Sequence, residues 1–235
     1  MEIMFKGFTF NGVSSASFGL IVNNITNYGS PARNVEKIEV PYRNGDLAID
    51  LGTYTNYIVT YDVQLYENTP ENIQAIAQWL LAPKGYQRLE DDWHTDEYRS
   101  AMYYNQIDWL VSSFTRFGRA SISFDCKPQR WLKSGETSTT LTSNGTMTNP
   151  TQMSAKPLIV VTGNGNFTVN GYTVAVSNNA STITIDCETM QCYTGNTNMN
   201  NYVTLDEFPT LKAGSNTINK GNVTRLVITP RWWRL

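Results

Sequence analysis

A single stretch of this chain reads as an α-helix, and that limits what the remainder can build. Residues Pro70 to Leu81 place Ile73, Ile76, Ala77 and Leu80 at the i, i+3, i+4, i+7 spacing of one helical face. Trp79 and Leu81 widen the stripe. Thr69 offers an N-cap hydroxyl. Pro70 takes the first helical position, where a missing N–H costs nothing, and Glu71 meets the positive end of the dipole. Pro83 and Gly85 stop the helix. Burying each large stripe residue contributes roughly 1.5–3 kcal/mol. With no second helix to receive the stripe, a β-sheet must do so.

Strand patterns lie on both sides. Val59, Tyr61, Val63 and Leu65 alternate with Thr60, Asp62 and Gln64 across 57–66. Ala120, Ile122, Phe124 and Cys126 alternate with Ser121, Ser123 and Asp125, and Lys127-Pro128 closes that strand. Shorter strands are expected at 5–10, 18–22, 35–40, 86–89, 98–104 and 107–111. The polar stretch 23–34 reads as a loop, and Asn44-Gly45 predicts a tight hairpin turn. Beyond Lys133 the composition shifts to Ser, Thr, Gly and Asn with almost no charge, which sets a boundary between 1–133 and 134–235. Short strands then recur at 158–161, 167–169, 172–176, 182–187, 202–205, 217–218 and 223–229. Gly and Asn turns separate them, the pattern of a β-sandwich or jelly roll. The fold class is mainly β with one helix, in two domains.

The totals narrow the function classes. The 235 residues are 40% hydrophobic and 16% charged, with a net charge of −2, which argues against a generally basic, DNA-binding surface. The start of the chain lacks a basic segment followed by an apolar run, and no apolar run is long enough to span a bilayer, so neither a signal peptide nor a membrane span is expected. Cys126, Cys187 and Cys192 have no CxxC spacing and read as reduced structural thiols of a protein made in a cytoplasm.

Candidate chemistry is sparse. Glu90, Asp91, Asp92, His94, Asp96 and Glu97 form the one dense polar cluster, but His94 is the sole histidine, and no metal-binding spacing is present. The cluster reads as a solvated loop or a subunit contact. Gly163-Asn164-Gly165 lacks the last glycine of a dinucleotide fingerprint and reads as a β-turn. Cys187 and Cys192 lack further ligands for zinc. Trp232 and Trp233 suit either core packing of the last strand or a sugar-stacking platform, with packing the better fit. No catalytic, cofactor or metal site is expected.

Ordered motifs span nearly the whole sequence. They include Phe18-Gly19-Leu20-Ile21-Val22 and Val40-Pro41-Tyr42-Arg43-Asn44-Gly45-Asp46-Leu47. The 57–66 strand, the Trp79-Leu80 helix and Phe124-Asp125-Cys126-Lys127-Pro128 follow. The second half has Asn149-Pro150, the run Lys156 through Gly165, and Gly214-Ser215-Asn216-Thr217-Ile218. The chain ends Ile228-Thr229-Pro230-Arg231-Trp232-Trp233-Arg234-Leu235. In this order they resemble the distal tail (Dit) proteins of siphophages that infect Gram-positive bacteria. The family often has Gly where this chain has Tyr42.

The resemblance implies an N-terminal belt domain, a tail-tube-like β-sandwich with a flanking helix, and a galectin-like peripheral β-sandwich. It implies a structural virion protein with no active site and no cofactor. Six copies would form a ring at the tail tip, around a channel that DNA only crosses. The ring would join the major tail tube protein to the tail-associated lysin or hub protein. The tape measure protein and receptor-binding or baseplate proteins are further partners that it implies. The fold and interface positions singled out are Arg43, Asn44, Gly45, Ile76, Trp79, Leu80, Phe124, Pro128, Trp232 and Trp233. The competing class is a carbohydrate-binding module of a phage adhesion device, motivated by the tryptophan pair.

Overall fold

The computed structural model describes residues 6–66, 68–111, 117–177 and 182–235; Phe5 lies outside them. The chain divides into two compact units, the first running to Arg130 and the second spanning Trp131–Arg234.

The helix spans Pro70–Leu81, capped where Thr69 Oγ1 accepts the Asn72 N–H at 3.2 Å. Ile76 and Leu80 are fully buried. Ile73 and Trp79 pack against the same core at its margin. Leu81 instead is 49% exposed. The apolar arc is therefore narrower than the sequence suggests, because a helix on a sheet buries only the face turned inward.

That face meets an antiparallel sheet ordered Val13–Ser14, Phe8–Phe10, Gln87–Asp91, Glu97–Met102, Gly118–Leu132, Tyr57–Leu65 and Leu20–Tyr28. Nine pairs from Gly118↔Leu65 to Cys126↔Tyr57 join the two strands with the clearest alternation. Their inward residues Val59, Tyr61, Ile122 and Phe124 are fully buried. Phe8 stacks on Tyr61 with ring centroids 4.7 Å apart and on Trp79 at 5.7 Å, and Phe124 meets Phe8 edge-on at 5.5 Å. The Trp79 indole N–H reaches the Phe10 carbonyl at 3.1 Å, which lets a polar atom sit against the core.

Several local expectations need correction. Residues Ser15–Phe18 form a 3-10 turn ended by left-handed Gly19, and the strand begins only at Leu20. It then runs to Tyr28 through the expected loop. Two irregularities in its pairing, between Val22 and Asn24 and between Ile25 and Asn27, take up its asparagines. The Gly118–Leu132 strand passes through Pro128. Its pairing with Tyr57–Leu65 ends at Cys126, so the missing proline N–H costs that ladder nothing. At 107–111 only Leu110–Val111 is strand.

Residues 33–54 leave the sheet as a two-stranded ribbon. Arg33–Ile38 pairs with Leu47–Tyr54, and the register ends at Ile38↔Leu47. The expected tight turn at Asn44-Gly45 is a longer loop across 39–46, with positive φ at both Tyr42 (63°) and Gly45 (83°).

The second unit is a sandwich of two antiparallel sheets. One has the order Thr139–Leu141, Arg225–Thr229, Leu158–Thr162, Thr182–Asp186, Gln191–Thr194 and Thr197–Asn198. The other has Gly145–Asn149, Gly214–Asn219, Gly165–Val169, Tyr172–Val176 and Val203–Leu205. Ile159, Val161, Phe167, Val169, Ile185, Ile218 and Leu226 fill the space between them. The polar stretch after Lys133 thus holds two strands, Thr139–Leu141 and Gly145–Asn149, that its composition conceals.

Candidate functional site

The acidic cluster at 90–97 is a solvated loop only in part: Asp92 and Asp96 are exposed in the turn, but two of its carboxylates are buried. Asp91 is 4% exposed and Glu97 1%, and Arg99, also 1% exposed, lies between them. Arg99 donates from Nη1 to Asp91 Oδ2 at 2.8 Å, from Nη2 to Glu97 Oε1 at 3.2 Å, and from Nε to the Tyr57 hydroxyl at 3.1 Å. Tyr61 donates its hydroxyl to Asp91 at 3.2 Å, and Arg130 reaches Glu97 Oε1 at 3.5 Å. The other Asp91 oxygen accepts the backbone N–H groups of Trp93 and His94 at 3.0 and 2.9 Å, and lies 3.3 Å from His94 Nδ1. The carboxylates therefore tie the turn to the strands beside it.

Burial opposes ionisation of the Asp91 carboxyl, but the Arg99 charge and the donated hydrogen bonds outweigh it and hold its pKa below the usual value. The outer members of the cluster stay near the surface. Asp92 accepts the Gly7 N–H at 2.7 Å, and Glu90 pairs with Arg88. An Asp91 carboxylate held ionised by a guanidinium has no proton to exchange near neutral pH, which suits a structural role better than acid–base work.

The three cysteines are free and buried. Burial pushes Cys126 and Cys187 up to about 12 and Cys192 to about 11, so none offers a thiolate at neutral pH. Among the described residues no group of three or more His, Cys, Asp and Glu could hold a metal ion.

The tryptophan pair forms no platform. Trp232 is 5% exposed within the second core, and Trp233 packs at that core's margin with its indole N–H on the Ser154 carbonyl at 2.9 Å. Ile76, Leu80 and Phe124 belong to the first core, and Trp79 packs beside it. Pro128 lies part-buried on its strand. Arg43, Asn44 and Gly45 occupy the exposed loop of the ribbon, where the Arg43 N–H returns to the Val40 carbonyl at 3.2 Å.

The exposed features worth describing are therefore surfaces. The outward face of the first sheet carries a groove of about 800 Å³ lined by Asn24, Asp62, Gln64, Asp108, Arg119 and Ser121. Ser121 donates to Asp62 across it at 2.6 Å. Polar groups, the Arg119 guanidinium among them, share this wall with Val63, Leu110 and Ala120. The ribbon is the second surface, and it is apolar. The sequence reading missed it, although Leu47, Ile49 and Leu51 alternate with Ala48 and Asp50 and gave a usable signal.

No family profile matches the chain, and no curated protein sequence does. Solved structures do match. The crystal structure of the SPP1 Dit (gp 19.1) protein, described as a paradigm of the hub adsorption apparatus in phages infecting Gram-positive bacteria, superposes with a TM-score of 0.73. The match covers 98% of this chain and 99% of that one, at 13% identity. This chain has the Dit fold. Chains of the phage p2 baseplate in its activated conformation also match. One, with Sr, gives a TM-score of 0.52 at 9% identity, covering 98% of each chain. Another, with Ca, gives 0.50 at 10% identity, covering 96% and 98%. The Dit likeness extends over both units in the same chain order, so what is shared is the two-unit architecture rather than a common sandwich.

Proposed function

We propose that this protein is a structural component of a siphophage tail tip, a Dit-type ring subunit placed between the tail tube and the hub or lysin protein. The observation that carries the reading is the Dit fold extending over 98% of the chain. Six copies form the ring, its channel lets DNA pass, and no reaction is catalysed. The first unit makes the ring and the second lies at its periphery.

The physics of the first unit supports the assignment. Its sheet ends in the nine-residue strand Leu20–Tyr28, paired on one side only in the described sheet, and its ribbon has apolar side chains in water. A free edge and an apolar ribbon both favour association, and heterologous contacts that close generate rings. The second unit has short strands and a filled core. The channel reading also agrees with a net charge of −2, since a strongly basic wall would retain DNA.

Light scattering on the purified full chain tests the proposal, together with negative-stain images. A mass six times that of one chain and ring-shaped particles are the expected result. A single-chain mass at tens of micromolar would overturn it.

A further inference from the structure

Five Asn-Gly pairs lie among the described residues, at 11–12, 44–45, 144–145, 164–165 and 170–171. Each is a latent reaction centre. Glycine has no Cβ to shield its backbone nitrogen, so that nitrogen can reach the side-chain carbonyl carbon of the asparagine before it. Ring closure needs a side-chain amide free to turn, a glycine N–H outside any ladder, and an asparagine ψ free to swing. At four of the pairs the fold withholds at least one of these.

Asn170 is tied at both ends of its amide. Its Nδ2 donates to the Thr210 carbonyl at 3.1 Å and to Asn216 Oδ1 at 2.7 Å, and its Oδ1 accepts the Thr217 N–H at 3.0 Å. Asn144 Oδ1 accepts the Lys220 N–H at 3.1 Å, and Gly145 stands opposite Ile218 in a strand ladder. Gly165 is also in a ladder, opposite Val176, and packs against Asn222 and Val223. Asn11-Gly12 is exposed, but it is a two-residue hairpin turn closed by Phe10↔Val13, with φ of 49° and 78°. The Arg88 carbonyl also holds the Asn11 N–H at 2.9 Å. Both central residues of such a turn must stay left-handed, so ψ at Asn11 cannot swing without opening the hairpin.

Asn44-Gly45 has none of these restraints. Both residues are exposed, and neither the Asn44 side chain nor the Gly45 N–H has a hydrogen-bond partner among the described residues. Their loop lies beyond the last ribbon pair, Ile38↔Leu47, so it can move without unpairing a strand.

We propose that Asn44 is a modification site, where the chain deamidates spontaneously to isoaspartate and aspartate. The Gly45 nitrogen gives its proton to a solvent base and attacks Asn44 Cγ. The new C–N bond closes a succinimide ring, the Cγ–Nδ2 bond breaks, and Nδ2 takes up a proton and leaves as ammonia. Water then opens the ring at either carbonyl. One water is consumed and one ammonia released, and no oxidant or enzyme takes part. The product places a new carboxylate between Arg43 and Asp46. In the isoaspartate form the main chain runs through the former side chain and is one atom longer. The loop across 39–46 has room for that atom, whereas the Asn11-Gly12 turn has none.

The test incubates the full chain in mildly alkaline buffer and follows each Asn-Gly pair by peptide mass mapping, with electron-transfer fragmentation to identify isoaspartate. The same chain in urea is the reference, since unfolding frees all five pairs. In the folded chain Asn44 should convert at least tenfold faster than any other pair, while in urea the five should differ by only a few-fold. Another pair reacting as fast as Asn44 in the folded chain would overturn the proposal. So would an Asn44 that stays intact in the folded chain while converting in urea. Asn44→Gln is the check on the chemistry, because a glutamine closes its larger ring far more slowly. The folded variant should release several-fold less ammonia than wild type, and equal release from the two would overturn the assignment to Asn44.

Discussion

Taking away the Arg99 guanidinium would leave Asp91 and Glu97 buried with their principal charge partner gone. Breaking such a network costs about 3–5 kcal/mol against a total stability of roughly 5–15 kcal/mol. Arg99→Met should therefore lower the urea midpoint of the first unit sharply at pH 7. The pH dependence is a sharper check. In wild type the folded Asp91 pKa lies below its unfolded value of about 3.9, so the stabilisation is complete above that value and lost as pH falls through the folded pKa. In Arg99→Met burial of the Asp91 carboxyl is no longer offset by that charge, so its neutral form is favoured and its pKa rises. The variant should gain stability from pH 7 to pH 5, where wild type stays flat. A parallel pair of pH curves would show that Arg99 is not the counter-charge. In the second unit, Gly221 has φ +55°, and a Cβ there would collide with the Asn166 carbonyl oxygen. Gly221→Ala must displace backbone, and a loss of at least about 2 kcal/mol is expected in thermal melts. An unchanged melting temperature would mean that this approach of two backbones relaxes freely.

The helix offers a matched pair of substitutions one residue apart. Leu80 is fully buried and Leu81 is 49% exposed. Leu80→Asp buries a charge and should unfold the first unit, at a cost of several kcal/mol, whereas Leu81→Asp should stay within about 0.5 kcal/mol of wild type. Equal melting temperatures for the two would show that the helix is rotated. The helix was legible because its signals are local: a cap, a proline and a stripe within twelve residues. The Tyr57–Leu65 and Gly118–Leu132 strands were legible for the same reason, since each shows its buried face by strict alternation. Leu20–Tyr28 was not, because its pairing irregularities break that alternation at Asn24 and Asn27. The burial of Asp91 and Glu97 was also illegible. It depends on Arg99 and Arg130, and no spacing in the sequence tells which arginine a carboxylate will find. The ribbon loop was partly readable, since Gly45 takes the positive φ its sequence suggests, but Tyr42 takes one too. A tyrosine there pays steric strain that the glycine common in the resembled family avoids.

Two separate cores, one per unit, set what the whole molecule should do. A fragment of residues 131–234 should fold and remain monomeric in light scattering, because its apolar residues are spent inside the sandwich. An oligomeric fragment would move the assembly surface out of the first unit. The order in which contacts become possible differs sharply between parts of the chain. The ribbon closes between neighbours in sequence, with Ile38 against Leu47, so it can form in microseconds. The large sheet of the first unit waits for residues 118–126 to pair with 57–65, and Phe8–Phe10 waits for Gln87–Asp91. Such long-range pairing is slow. During synthesis the aliphatic face of the ribbon is thus in water before the sheet is complete. The charged residues Glu36, on that face opposite Ile49, and Lys37 and Asp50, on the other face, are the sort that hold strand-to-strand aggregation in check during that interval. If copies join in the ring proposed above, unassembled subunits are the aggregation-prone pool, and turbidity on heating should fall as the fraction in rings rises.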